Sequence, residues 1–387
     1  MTAFMDRLFS YAFRPFFLLG IIYSMSAIIL WVLIWNGNLV LDWSRSPVHW
    51  HAHDMMMGLM AAAIAGFLLT AVANWTSRPP VARWPLASLV TFWLAGRIAM
   101  WSPTLSAIAD GLFWLLLCVL VARELFSARN KRNYKVLAVL VALSLGDMLF
   151  HAGELQLLPD IDLQRVLWAQ LWLVIVLINV VGGRVIPAFT GNWLRRRAPM
   201  GEELSPSSLP GAFGLIDQIA ISLLLLFAAS ITFQWPVVVA FPLGLSCFVA
   251  QAWRLLRWKF WLTLSDPLVW MMHLSYAWLV TGILLWTLSL AGVMSVSAAV
   301  HALTIGAITS MIVSVGARAA LGHTGRALKS HYLLTCAIVL LSLSALTRIV
   351  AAIAGGQLWL EMATGLWVSA LLCFAVRYVP ILIGPAK

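Results

Sequence analysis

The string HWHAHDMMMG sets His49, His51 and His53 at alternating positions and follows them at once with Asp54. Neutral imidazole is a ligand for copper and for haem iron alike, so metal chemistry is the first expectation. On a helix His49 and His53 share a face while His51 points elsewhere, and the three cannot all serve one ion. Two further strings carry the same residue type. GDMLFHAGEL holds Asp147, His151 and Glu154, and SAAVHALT holds His301. The metal ligands expected are His51, His53, His151 and His301. Asp54, Asp147 and Glu154 are the acids placed to carry protons to such a site. The plainer alternatives are interfacial histidines with satisfied rings, or proton relays of a transporter.

Other ionisable residues need an account because charge inside an apolar segment is costly until paired. Arg97 and Arg348 each sit near one end of an apolar run and require an anionic partner. Haem propionates would serve, as would Asp54, Asp147 or Glu154 in a structural ion pair. GGRVIPAF and GARAALGHTGR bring Arg184, Arg318, His323 and Arg326 to the opposite ends of their runs, where they either grip an anion or anchor to headgroups. His273, in MMHLSYAW, reads equally as a buried ligand, a quinone contact or a packed histidine. Consecutive Met55, Met56 and Met57 cannot face one site, and methionine is ordinary filler between helices. Cys118, Cys247, Cys336 and Cys373 stand alone in apolar runs and make no metal spacing.

The elements that must position these residues are membrane helices. Hydrophobic residues make up 62% of the chain and charged ones only 10%, where soluble domains carry about a quarter. Apolar runs predict about twelve spans: 16–35, 53–75, 86–101, 105–125, 136–158, 166–189, 213–233, 237–253, 269–291, 298–321, 332–354 and 360–383. The fold expected is an all-α polytopic bundle. Its formal charge of +11 is dispersed over short loops, which argues against nucleic acid and for membrane topology. Lys and Arg alternate cleanly: Arg7 and Arg14, Arg78 and Arg83, Arg129 to Arg132, Arg195 to Arg197, Arg254 to Lys259, Arg326 and Lys329, then Lys387. The intervening loops hold only Arg45 and Arg165. Both termini are therefore expected in the cytoplasm, and five histidines (His49, His51, His53, His151 and His301) fall in one outer layer. Related strings ending the second, sixth and tenth spans suggest a four-helix period repeated three times.

HWHAHDMMMG, GDMLFHAGE, GGRVIPAF, MMHLSYAW, HALTIGA and RAALGHTGR, taken in this order across nearly the whole chain, resemble the NnrS family of haem- and copper-containing membrane proteins. The resemblance implies bound haem and copper, expression with denitrification or nitrosative stress, and a role in handling nitric oxide. It favours His51, His53, His151, His273, His301 and His323 over His49 and His331. Asp54 stands where the family motif is expected to have Glu, which shortens the acid by one methylene. The helix count and outer histidines are also similar to the catalytic subunits of haem–copper oxidases and nitric oxide reductases, although the paired histidines of that group are missing from the seventh span and a histidine from the sixth. The function expected is binding of nitric oxide at haem with copper nearby, using His53 and His301 toward iron and His51 and His151 toward copper. Reduction by electrons from membrane quinol would make it an oxidoreductase of the bacterial inner membrane. The rivals are a transporter of copper, haem or another small solute, and a sensor or scavenger without turnover.

Overall fold

The structure is a computed structural model and describes residues 3–40, 45–199 and 204–386. Lys387, the last residue in the charge pattern, lies outside the described residues. Among them there are helices and no strands. Each expected span has its helix: α1 Phe13–Trp35, α2 Pro47–Thr76, α3 Arg83–Ile98, α4 Pro103–Ser127, α5 Tyr134–Glu154, α6 Leu163–Arg197, α7 Leu215–Thr232, α8 Val237–Arg257, α9 Pro267–Leu290, α10 Val296–Gly322, α11 Tyr332–Ala354 and α12 Gln357–Ile383. Eleven are long and apolar enough to cross a bilayer. The twelfth, α3, has 16 residues and is prolonged by a tighter 3-10 turn, Ala99–Trp101. The chain is a multi-pass membrane protein.

The two largest differences from the hydropathy reading each have a local reason. Helix α2 begins six residues before His53, because Ser46 caps the His49 amide and Pro47 takes the first position, where its missing N–H costs nothing. The same Ser-Pro or Asp-Pro start opens α4 at Ser102–Pro103 and α9 at Asp266–Pro267. Helix α6 runs past Pro187 to Arg197, since proline in a membrane helix is tolerated where neighbours satisfy the freed backbone.

The helices form two compact units. One comprises Met1–Leu173, Ala319–Ala327 and Ala375–Lys387, the other Val174–Arg318 and Leu328–Phe374. The first unit has buried Phe13, Phe16, Trp93, Phe113 and Trp114 in its interior; the second has Trp258, Tyr276 and Trp286. Outward faces are apolar instead, as at Leu115, Val119 and Val238. In lipid there is no hydrophobic drive between helices, so close packing and polar contacts must hold them.

One departure from α geometry lies beside the histidines. Residues Met56–Met60 of α2 form a wide π turn, a feature that recurs at functional sites. Gly58 sits in it, and a Cβ there would overlap the Tyr23 ring of α1. The glycine lets α1 approach, which brings the Tyr23 hydroxyl to the acid at position 54.

Candidate metal centre

Four helices of the first unit aim polar side chains at one point. From α2 come His53 and Asp54, from α4 Asp110, from α5 Asp147 and His151, and from α3 Arg97. His53, Asp110 and Asp147 sit six or seven residues inside their helix ends, roughly 10 Å at 1.5 Å per residue, His151 three residues inside, and Arg97 next to the last residue of α3. Asp147 and His151 are four apart and so share a face of α5. One donor atom each from His53, Asp110, Asp147 and His151 fall within 4.8 Å of one another, and all four residues are buried, with exposures of 3% or less.

The contacts among them form one network. His53 Nε2 lies 2.9 Å from Asp147 Oδ1, and His53 Nδ1 lies 3.7 Å from Asp54 Oδ2. His151 Nε2 is 3.2 Å from Asp110 Oδ2 and 3.8 Å from Asp147 Oδ2. Arg97 closes the far side, donating through Nη1 to Asp54 Oδ1 at 2.6 Å and through Nη2 to both oxygens of Asp110 at 2.6 Å. The Tyr23 hydroxyl donates to Asp54 Oδ1 at 2.6 Å. Arg45 donates to Glu154 Oε2 at 2.7 Å, and that carboxylate stands 3.7 Å from His151 Nδ1. The His53 ring stacks on Phe150 with centroids 4.3 Å apart.

The carboxylates outnumber the guanidiniums. Four carboxylates (Asp54, Asp110, Asp147 and Glu154) face two guanidiniums, Arg45 and Arg97. With both imidazoles neutral, two negative charges are left in a buried site, where uncompensated charge is strongly disfavoured. A divalent cation restores neutrality, as would protonation of both imidazoles. Asp147 Oδ2 and His151 Nδ1 are also buried without hydrogen-bond partners, as is expected of atoms whose partner is an ion. Two imidazole nitrogens and two carboxylate oxygens suit copper(II) among first-row metals, and zinc or iron as well. Asp110 is held in place from behind by Gly96, where a Cβ would overlap the Asp110 carboxylate.

Of the residues singled out in the sequence, His53, His151, Asp54, Asp147, Glu154 and Arg97 meet here. His51 does not: its ring stacks on Trp31 at 4.4 Å, on the other side of α2 as helical periodicity requires. The partners of Arg97 are Asp54 and Asp110, so carboxylates meet the need for an anion that propionates would otherwise fill. His323, also in this unit, packs its ring against Tyr11 and Phe13 at 5.7 and 5.6 Å. Burial in this apolar setting holds its imidazole below the ordinary pKa.

The remaining residues belong to the second unit. His301 Nδ1 donates to the Ser297 carbonyl at 2.7 Å, the kind of backbone contact that orients metal-ligating histidines. It too is followed by π geometry, Ala302–Thr309. Arg348 donates to Ser297 Oγ at 3.1 Å. His273 is buried against Thr190 Oγ1 at 2.8 Å. Thr190 spends its proton on the Ile186 carbonyl, so Nε2 of His273 is the donor and Nδ1 is unpartnered. Arg318 lies over the Phe189 ring and donates to the Leu268 carbonyl; Arg184 is half-buried on α6.

Sequence reading missed Asp110, Arg45 and Tyr23. It also missed a second buried network, in which Arg254 donates to Asp217 at 2.7 Å and to Asn179 Oδ1 at 2.8 Å, with Gln251 and Tyr276 beside them. An acid seven residues inside α4 was the available signal for Asp110. No curated protein matches the chain. The family model described as NnrS protein matches residues 7–386, nearly the whole length and every helix that builds the His–Asp centre, and the chain belongs to the NnrS family.

Proposed function

We propose that this protein is a resident-metal membrane protein of the nitric oxide response, with copper held by His53, Asp110, Asp147 and His151. The carrying observation is the buried two-histidine, two-aspartate cluster, whose donor atoms lie within 4.8 Å of one another. The family name supplies the link to nitric oxide. All four donors are sealed from the surface, which favours a resident ion over transported cargo.

His53 does not suit a porphyrin. Phe150 covers one face of its ring, and Asp147 and Asp54 flank its two nitrogens. His301 suits one better, because its Nδ1 is already committed to a backbone carbonyl and Arg348 lies within reach of the same turn. We therefore assign haem to His301 and copper to the His53–His151 cluster, with Arg348 the candidate propionate partner. When bound, these metals supply the binding and one-electron chemistry of nitric oxide. The protein's own part is to orient the ligands and to move protons. Tyr23, Asp54, His53, Asp147 and His151 follow one another with polar atoms within 4 Å at each step, the Tyr23–Asp54 and His53–Asp147 steps at hydrogen-bond distance, and the short Asp54 side chain is fixed among them by Arg97 and Tyr23. Membrane quinol is the proposed reductant, the bacterial inner membrane the proposed location, and the outer face the proposed side of the metal centre.

The test is metal analysis and an absorption spectrum of detergent-purified protein, followed by anaerobic nitric oxide consumption with a quinol. Copper should be lost from a His53→Ala/His151→Ala variant that retains its Soret band, and the Soret band should be lost from His301→Ala with copper retained. Unchanged copper in the double variant removes the proposal. Metal binding without nitric oxide turnover makes the protein a scavenger or sensor.

A further inference from the structure

A second unbalanced charge cluster lies in the first unit, at the opposite helix ends from the metal centre. Phe13 opens α1 and Tyr23 lies ten residues on, about 15 Å along the axis, so the two clusters are well separated. Three arginines converge on four consecutive backbone carbonyls at the end of α12. Arg14 Nη1 donates to Leu382 O at 2.6 Å and to Gly384 O at 2.9 Å. Arg7 Nη1 donates to Ile383 O at 3.4 Å, and Arg326 Nη2 to Pro385 O at 3.2 Å. Arg14 is only 3% exposed.

Capping a helix C-terminus explains one of these cations, not three. The macrodipole puts roughly half a negative charge there, which among the described residues leaves about two and a half positive charges unmatched. Among the described residues no Asp or Glu lies within ion-pair distance of Arg7, Arg14 or Arg326. Guanidinium cannot shed its proton, so the excess stays. Arg14 Nε and Arg326 Nη1 are moreover buried without hydrogen-bond partners, donors that an oxyanion would satisfy. The ring of His323, packed on Tyr11 and Phe13, lies in the turn that leads to Arg326.

We infer that Arg7, Arg14 and Arg326 form a binding site for a phosphate group, carried by an anionic phospholipid headgroup or supplied as free phosphate. Guanidinium matches phosphate in a forked geometry, and basic pockets between membrane helices hold lipid headgroups in this way. The site is independent of the metal centre and of nitric oxide.

The experiment places the full chain in nanodiscs of phosphatidylcholine and follows its unfolding midpoint as phosphatidylglycerol or inorganic phosphate is added at matched ionic strength. Phosphorus that stays with the detergent-purified protein is counted alongside. Phosphatidylglycerol should raise the midpoint and stoichiometric phospholipid phosphorus should be retained. Arg7→Gln/Arg326→Gln should lose both responses, while Arg129→Gln/Arg132→Gln, in the loop between α4 and α5, should keep them. Should the double variant fail to fold, Arg326→Gln alone is expected to halve the response or more. A rise with inorganic phosphate and none with the lipid assigns the site to free anion. No rise with either, or a full response in folded Arg7→Gln/Arg326→Gln, overturns the inference.

Discussion

With both imidazoles neutral, the candidate metal centre carries a charge excess that makes the two sides of one ion pair unequal, and this can be measured. Arg97 and Asp110 meet through two contacts of 2.6 Å with both side chains buried. If the pair were simply structural, removing either partner would leave the other buried and unpaired, at a cost of about 3–5 kcal/mol. The surroundings break that symmetry. In the ion-free protein four carboxylates face two guanidiniums. Arg97→Gln raises the excess from two negative charges to three, so the full penalty of about 3–5 kcal/mol is expected, roughly two to four powers of ten in the unfolding equilibrium. Asp110→Asn lowers the excess to one, and its amide oxygen still accepts from Arg97, whose charge Asp54 continues to balance. The expected change is within about 1 kcal/mol. Loading with copper reverses the order. The ion should restore much of the stability of Arg97→Gln, and Asp110→Asn should bind it weakly through loss of a charged ligand. The assay is denaturant unfolding of detergent-purified protein followed by Trp fluorescence, with and without a chelator. Equal losses in the two chelated variants would refute the reasoning, because they would mean the carboxylates are already neutralised.

Gly96→Ala removes no ligand, yet its methyl would displace the Asp110 carboxylate; copper content by mass spectrometry should fall while helical circular dichroism is kept. Tyr23→Phe deletes the 2.6 Å bond to Asp54; copper affinity should drop about 10-fold or more as for other outer-shell partners, seen by competition against a chelator. His51→Ala should leave copper unchanged, since its ring faces Trp31, whereas His53→Ala and His151→Ala should each lose it. Gly58→Ala should lower copper affinity together with stability, because a Cβ there pushes Tyr23 away from Asp54.

Depth was legible in the sequence, and lateral position was not. Alternating Lys and Arg loops and the rise per residue put His53 and His151 at one level, and in the first unit they meet there. Nothing in hydropathy says which helices are neighbours, because an apolar face looks alike whether it meets lipid or protein. So of the four histidines expected to converge, His53 and His301 on iron and His51 and His151 on copper, the first unit joins His53 and His151 to two aspartates, places His51 against Trp31, and His301 belongs to the second unit. Periodicity did carry one lateral fact. His51 and His53 cannot share a face of α2, and they do not.

Asp110 shows what a stricter reading would have found. It is as deep in α4 as Asp147 is in α5, and the rule that made Asp147 a candidate applies equally to it. Arg97 was expected to need an anion, and α3 is joined to α4 by a short connection through Trp101 and Ser102, so these helices are antiparallel neighbours. Arg97 lies one turn from the end of the 3-10 extension of α3 at Trp101 and Asp110 two turns into α4, which puts them within a turn of one another in height on adjacent helices. Gly96 is the remaining clue: a residue without a side chain, next to a buried arginine, marks where another group must come close. A charged residue, a glycine beside it and a carboxylate at equal depth on the next helix together specify a contact that none of the three specifies alone.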